Sequence, residues 1–298
     1  MQSISIIIPV YNAKYDLEKL FSCLEKNDFQ ENDEIIIVDN GSNDGSFEIC
    51  KKKQNENPNL YRVLKYDLIA SSYAARNYGV SNAKGEVLVF TDSDCKPTSK
   101  WLTSIRENIS RGYVLAGRIQ LEIVDKHSVW EVFDTIAHLQ SEKNAKNNSV
   151  ATANMAVSRL DFEHVGVFEE RFSGGDYVWS QKAADEGLVV KFVPGMLVHH
   201  PTRKTYKAIQ TKQRRIAYGD GDSVKKKGKS LIRLTLTYFL RIFKIDTNIR
   251  YARQLCKNGI GVVDIIKFVG RFEQLRIEQL KFAIKGYKGE DVRKKGIK

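Results

Sequence analysis

The chain has 298 residues, 42% hydrophobic and 28% charged, a composition that excludes disordered and collagen-like classes. Cys23, Cys50, Cys95 and Cys256 lie far apart with no CxxC pair, which excludes a disulfide scaffold and argues against a structural zinc site. The net charge of +12 is uneven, since residues 1–203 hold 23 Lys and Arg against 28 Asp and Glu, and residues 204–298 hold 25 against 8.

The basic excess therefore belongs to the last third and points to an anionic partner. No basic, apolar leader precedes residues 4–8, and no run approaches eighteen apolar residues. A cytoplasmic protein without a spanning helix is expected. Short runs rich in Ile, Val and aromatics at 4–8, 34–38, 61–64 and 86–90 read as strands. Helices are predicted between them at 13–26, 46–53 and 71–83. In the first, Leu17, Leu20, Phe21 and Leu24 recur at helical spacing. Such alternation predicts an α/β fold with a mostly parallel sheet covered on both faces. Ligands of these sheets bind beyond the carboxyl ends of the strands.

Beyond residue 110 the pattern loosens. A helix is predicted at 128–140, a polar break at 144–149, a helix from Asp176 to about Glu186 stopped by Gly187, and a strand at 189–193. Two amphipathic helices follow. At 231–245 the polar residues Arg233, Thr237, Arg241 and Lys244 form a narrow stripe beside a broad apolar face; at 264–285 polar residues recur every three or four positions. Either helix could pack on the body or lie at a lipid interface with its cations toward head groups, and periodicity alone leaves both open.

Three acidic features follow predicted secondary structure. Asp39 opens Asp39-Asn40-Gly41-Ser42-Asn43-Asp44-Gly45-Ser46, Asp92-Ser93-Asp94 follows the fourth strand, and Asp176 follows Gly174-Gly175. Singly, each has an ordinary explanation as a turn former, a chance pair or a helix cap. Together, carboxylates ending consecutive parallel strands would repel one another unless a cation or ligand donors held them. Two carboxylates one residue apart suit Mg²⁺ or Mn²⁺ carrying a diphosphate.

The ordered set Ile7-Ile8-Pro9-Val10-Tyr11-Asn12, Val38-Asp39-Asn40-Gly41-Ser42-x-Asp44-Gly45-Ser46, Ala75-Arg76-Asn77-x-Gly79 and Asp92-Ser93-Asp94 resembles glycosyltransferase family 2. Asn154, the run from Val165 to Phe172, Gly174-Gly175-Asp176-Tyr177 and His200-Pro201-x-Arg203 extend the likeness to about residue 203. The resemblance implies a Rossmann-like GT-A domain over 1–203, with 204–298 as a basic, helical extension outside it. It also implies an inverting transferase moving a sugar from a UDP- or dTDP-sugar to a hydroxyl acceptor, with Mg²⁺ or Mn²⁺ as cofactor. Pro9, Tyr11 and Asp39 would line the base pocket, Asp39 accepting from an imide N–H. Arg76, Asp92 and Ser93 would hold the nucleotide, Asp94 with Asp92 and His200 the cation, and Asp176 would be the catalytic base. His199, adjacent to His200, competes for the place near the metal.

Two departures matter. Asp39-Asn40 stands where many relatives have two acids, which leaves base and sugar preference open. No Gln-x-x-Arg-Trp motif and no membrane span follow residue 211, so addition of one or a few sugars is expected rather than processive synthesis. The expected acceptor is a lipid-linked or cell-envelope glycan, with an anionic membrane surface as partner of 204–298 and no nucleic acid. Two other readings stand beside this one. A sugar-phosphate nucleotidyltransferase would need a Gly-rich, Arg-containing loop where Pro9-Val10-Tyr11-Asn12 stands. A nucleic-acid-binding protein would rest on the basic tail, above all Lys225-Lys226-Lys227, with no recognition motif beside it.

Overall fold

Two Ile/Val runs form the middle of a sheet covered on both faces. β1 (Ile4–Val10) and β2 (Glu34–Asp39) are buried along almost their whole length, which their continuous apolar sequence requires of parallel strands under helices. The structure is a computed structural model and describes residues 2–290. Around these strands the first half of the chain adds α1 (Lys14–Leu24), α2 (Ser46–Glu56), β3 (Tyr61–Lys65), α3 (Ser72–Asn82) and β4 (Val87–Thr91). There follow a two-residue β5 (Lys96–Pro97), α4 (Trp101–Asn108), β6 (Tyr113–Glu122), α5 (Val129–Ala137) and α6 (Ser141–Ala145). Then come β7 (Asn154–Ser158), α7 (Arg159–Val165), α8 (Gly175–Asp185) and β8 (Val189–Pro201). Four helices end the described chain: α9 (Tyr206–Lys226), α10 (Leu231–Ile242), α11 (Ile245–Lys257) and α12 (Val262–Lys288).

These elements make two compact units. The first comprises the chain to Glu122, Leu139–Glu170 and Gly175–Pro201; the second comprises Ile123–His138, Arg171–Gly174 and the residues from Thr202. The first contains one eight-stranded sheet in the order β3-β2-β1-β4-β7-β6-β8-β5. The strands β3, β2, β1 and β4 are mutually parallel. β7 runs antiparallel between β4 and β6, whereas β6 and β8 are parallel and β5 is antiparallel to β8. Asp39 and Asp92 thus lie at the same carboxyl edge, but on strands separated by β1 rather than on neighbours.

β8 is the main surprise of this unit. Its thirteen residues exceed the predicted strand because its pairing with β6 shifts from Gly117↔Val193 to Arg118↔Leu197 and then continues. The three residues passed over form a bulge, which no strand pattern announces. Buried Asn154 holds it: its amide donates to Arg118 O (2.9 Å) and Met196 O (2.8 Å) and accepts from Trp101 Nε1 (2.9 Å). Past the bulge, β5 pairs with β8 so that Lys96 faces His199.

The second unit is helical. α9, twenty-one residues long, lies in the expected helical extension, where the sequence reading gave it no bounds; it contains Gly219 and Gly221, each of which disfavours a helix by about 1 kcal/mol. Their use is close approach. A Cβ at Gly221 would stand 1.9 Å from Ala283 O, and one at Gly286 would stand 2.0 Å from Tyr218 O. The predicted helix at 231–245 is α10, which stops at Ile242; the chain then breaks, without Gly or Pro, and α11 begins at Ile245. Carbonyls freed at the break are taken by buried Arg276, which donates to Ile242 O (3.4 Å) and Lys244 O (3.2 Å). The polar break at 144–149 begins inside α6 and ends in a turn.

Candidate active site

The loop after β2 ties itself together. Asp39 Oδ1 accepts from the amides of Gly41 (3.2 Å) and Ser42 (3.1 Å). Asp44 accepts from Ser46 N (3.0 Å) and Lys14 N (3.1 Å). Desolvation pushes its carboxyl up, but the Ser46 hydroxyl and these amides outweigh it and hold Asp44 below the usual range. Asn40 donates to Tyr66 O and Ile69 O, both at 2.9 Å, and so pins the loop after β3. Most of this motif is therefore scaffold. The exception is Asp39 Oδ2, a buried acceptor without a partner among the described residues, an arrangement that costs free energy unless something supplies a donor. Beside it, Pro9 is buried in β1 and Tyr11 follows, 38% exposed.

The second cluster lies beyond β4. Asp92, half-buried Ser93 and Asp94 form a tight turn closed by Cys95 N→Asp92 O (3.1 Å). Asp92 Oδ1 pairs with Arg76 of α3. α3 sits close enough to the sheet to place that guanidinium because residue 79 is glycine; a methyl there would lie 2.6 Å from Ile7 Cγ2. His200, at the end of β8, brings Nε2 to 3.6 Å from Asp94 Oδ1. Its Nδ1 lies 2.7 Å from Pro201 O, a carbonyl that can only accept. Nδ1 is therefore a donor to that carbonyl, and Nε2 is the ring nitrogen that faces Asp94. His199 points elsewhere, with Nδ1 3.5 Å from Glu122, because successive strand residues face opposite sides. The sequence left these two histidines undecided.

Ligand atoms of Asp92, Asp94, Cys95 and His200 all lie within 4.8 Å of one another. Burial, then repulsion from Asp92 and Asp16, pushes the Asp94 carboxyl above its ordinary range, although His200 pulls it down. A cation would relieve that repulsion. Two carboxylates and an imidazole fit a divalent ion of the Mg²⁺ or Mn²⁺ kind. Cys95 does not join them: it is wholly buried, its Sγ donates to Ala153 O (3.6 Å), and burial keeps it a thiol.

The third group is Asp176, in the first turn of α8. Its Oδ1 accepts from Tyr73 OH (3.0 Å) and Tyr177 N (2.9 Å), and its Oδ2 from Thr152 N (3.4 Å). Tyr73 belongs to α3, three residues before Arg76, whose guanidinium lies 5.7 Å from the Tyr73 ring centre. Burial and the Asp176 charge raise the Tyr73 phenol well above its ordinary value, so it stays a donor. The glycine before Asp176 is required, because a Cβ at Gly175 would meet the Tyr73 ring at 3.0 Å.

One face of α3 thus links Asp94-Asp92 to Asp176 through Arg76 and Tyr73. Asp39 ends β2, two strands from β4 and so about 10 Å away by strand spacing, and Pro9 and Tyr11 lie in and just after β1 between them. Tyr73 is the residue that sequence reasoning missed, although its i, i+3 spacing from Arg76 was visible.

Comparison with known proteins fits this arrangement. Residues 5–164 match the model of glycosyl transferase family 2. The chain is 32% identical over 221 residues to glycosyltransferase AglE of Haloferax volcanii, covering 72% of each chain. It is 26% identical over 113 residues to a GalNAc(5)-diNAcBac-PP-undecaprenol β-1,3-glucosyltransferase of Campylobacter jejuni, 38% of this chain and 36% of that one. Among solved structures, the mannosyltransferase PcManGT of Pyrobaculum calidifontis, in complex with GDP-Man and Mn²⁺, matches with a TM-score of 0.64. That match covers 97% of this chain and 88% of the other at 13% identity, a likeness of fold. The fold is that of the GT-A glycosyltransferases. The chain belongs to glycosyltransferase family 2 and is a glycosyltransferase.

Proposed function

We propose that the chain moves a sugar, with inversion, from a UDP- or dTDP-sugar to a hydroxyl of a lipid-linked or cell-envelope glycan, one or a few sugars at a time. The observation that carries this reading is the α3 relay joining the Asp92–Asp94–His200 cluster to Asp176. Asp92, Asp94 and His200 would hold the divalent cation, which when bound offsets the negative charge of the departing nucleoside diphosphate. Arg76 keeps Asp92 in position and adds positive charge beside it. Asp176, held by Tyr73 and two backbone amides, accepts the proton of the attacking hydroxyl. Attack from the side opposite the leaving group inverts the anomeric centre.

Donor choice follows from Asp39. A buried carboxylate oxygen without a donor suits a base that offers a ring N–H, as uracil, thymine and guanine do, and disfavours adenine and cytosine, whose facing ring nitrogen only accepts. Relatives support the acceptor class, since the Campylobacter jejuni enzyme is named for an undecaprenol-linked glycan.

The test is a donor panel with purified protein: UDP-, dTDP-, GDP-, CDP- and ADP-sugars, with Mn²⁺, Mg²⁺ or chelator. Cation-dependent hydrolysis and thermal stabilisation are expected with UDP- or dTDP-sugars, and loss of both on chelation. Equal response to CDP- and ADP-sugars would remove the role of Asp39, and hydrolysis undiminished by chelator would remove the cation.

A further inference from the structure

α10 divides its circumference three ways. Leu234 and Tyr238 are buried against α12 residues Phe282 and Ala283. Arg233, Arg241 and Lys244, all exposed, form the cationic stripe. The remaining arc is apolar and open: Ile232 is 80% exposed, Leu236 53%, Phe239 47%, Leu240 53% and Phe243 64%. These five fall at i, i+4, i+7, i+8 and i+11, one continuous helix face, with the Phe239 and Phe243 rings 5.1 Å apart and both outward. Ile245 and Ile249 extend exposed apolar surface onto α11. Packing within the helical unit thus uses one side of α10 and leaves a second apolar side open among the described residues.

The neighbouring charges say what covers it. Lys225, Lys227 and Lys229 are exposed just before α10, and Arg250, Arg253 and Lys257 line an open recess of about 480 Å³ along α11. Apolar side chains flanked by cations are the composition of a helix lying in a lipid interface, its apolar arc among acyl chains and its cations at anionic head groups. A second copy fits worse, since a two-fold pairing along this helix would set one cationic stripe near the other. Nucleic acid would leave five large apolar side chains without an apolar partner. No described helix is long and apolar enough to cross a membrane.

We propose that α10 is a membrane-docking helix that lies flat on an anionic bilayer. The inference goes beyond the transfer reaction and does not depend on which sugar is moved.

The experiment is flotation of the full chain with phosphatidylcholine vesicles, with and without phosphatidylglycerol, at low and high salt. Strong co-flotation is expected only with phosphatidylglycerol, weakened by salt. The double variant Leu236→Glu/Phe239→Glu should lose at least about tenfold in partitioning, because both side chains leave water on docking. Both positions are exposed, so its melting temperature and donor hydrolysis should match the parent. Arg233→Gln/Arg241→Gln should lose about fivefold per cation on anionic vesicles alone. Equal flotation of parent and Glu variant would overturn the proposal. So would a parent that ignores phosphatidylglycerol, or a parent dimer that the Glu variant converts to monomer in sedimentation. Absent donor hydrolysis with flotation intact would count against the transfer reaction and leave the docking helix standing.

Discussion

Tyr73 shows how much of this chemistry is set by one side chain that no motif contains. Its phenol is buried, protonated and 3.0 Å from Asp176, the proposed base. Asp176→Asn keeps the shape and can keep the contacts made by Oδ1, gives up the long one from Thr152 N, and removes the basic oxygen, so turnover should fall by about 10²- to 10⁴-fold. Donor affinity, measured by thermal shift, should be retained. Tyr73→Phe keeps the ring under Gly175 and removes only the donor. Its turnover should fall by about tenfold with unchanged donor KM, the cost of one lost hydrogen bond to a charged group. An Asp176→Asn enzyme with parental turnover would remove the base from its role, and a Tyr73→Phe enzyme with altered KM alone would move Tyr73 to donor binding. At this scale the sequence was partly legible. Asp39, Asp92, Asp94 and Asp176 stood out because carboxylates after strands and glycines are conspicuous. Tyr73 did not, because an aromatic on a helix reads as core.

At the scale of elements, the crossing of α9 and α12 rests on glycine. Gly221 and Gly286 let the helix backbones approach closer than any side chain permits. Gly221→Ala would gain helix propensity and still destabilise the unit, because the added methyl meets a carbonyl that cannot move away as a side chain could. A loss of about 1–3 kcal/mol is expected, read as a lower midpoint in chemical denaturation. A stabilised variant would show that the crossing has slack. The sequence did not delimit α9 within the expected helical extension; its glycines run against helix propensity, a weak prior where packing decides. The sequence also hid the bulge in β8. Nothing local in Val189–Pro201 says that three residues must be passed over, yet that shift lets the strand run on to His200.

For the whole molecule, a buried cluster in the helical unit contributes to the loss of stability in acid. His138 Nδ1 lies 2.6 Å from Asp134 Oδ1, and Arg203 N donates to Asp134 at 2.9 Å. Burial drives His138 down to about 4 from an ordinary 6.5, against the pull of Asp134. Desolvation raises Asp134, but the His138 hydrogen bond and the Arg203 charge outweigh it and hold it at about 2. Below pH 6.5 the unfolded chain binds a proton at His138 that the folded chain refuses until about pH 4, so stability falls across that window as pH drops. From about pH 4 downward Asp134 adds a further loss in the same direction. The His138 contribution amounts to roughly 3 kcal/mol once complete. Thermal melts between pH 7 and 4.5 should therefore show a falling midpoint, and His138→Gln should flatten the slope. An unchanged slope in the variant would assign the loss to other groups.

Sequence alone determined the parallel half of the sheet, since continuous Ile and Val runs between amphipathic helices have few other stable arrangements. It also determined which carboxylates gather at the sheet edge, because strand ends carry their following residues there. Tertiary structure decided what these residues are free to do. It tied Asn40 and Asp44 into the scaffold while leaving one oxygen of Asp39 open, chose His200 over His199, and joined two acidic sites through α3. Those choices depend on pairing register and helix depth, which are set by contacts between residues far apart in the chain and leave no local periodicity to read.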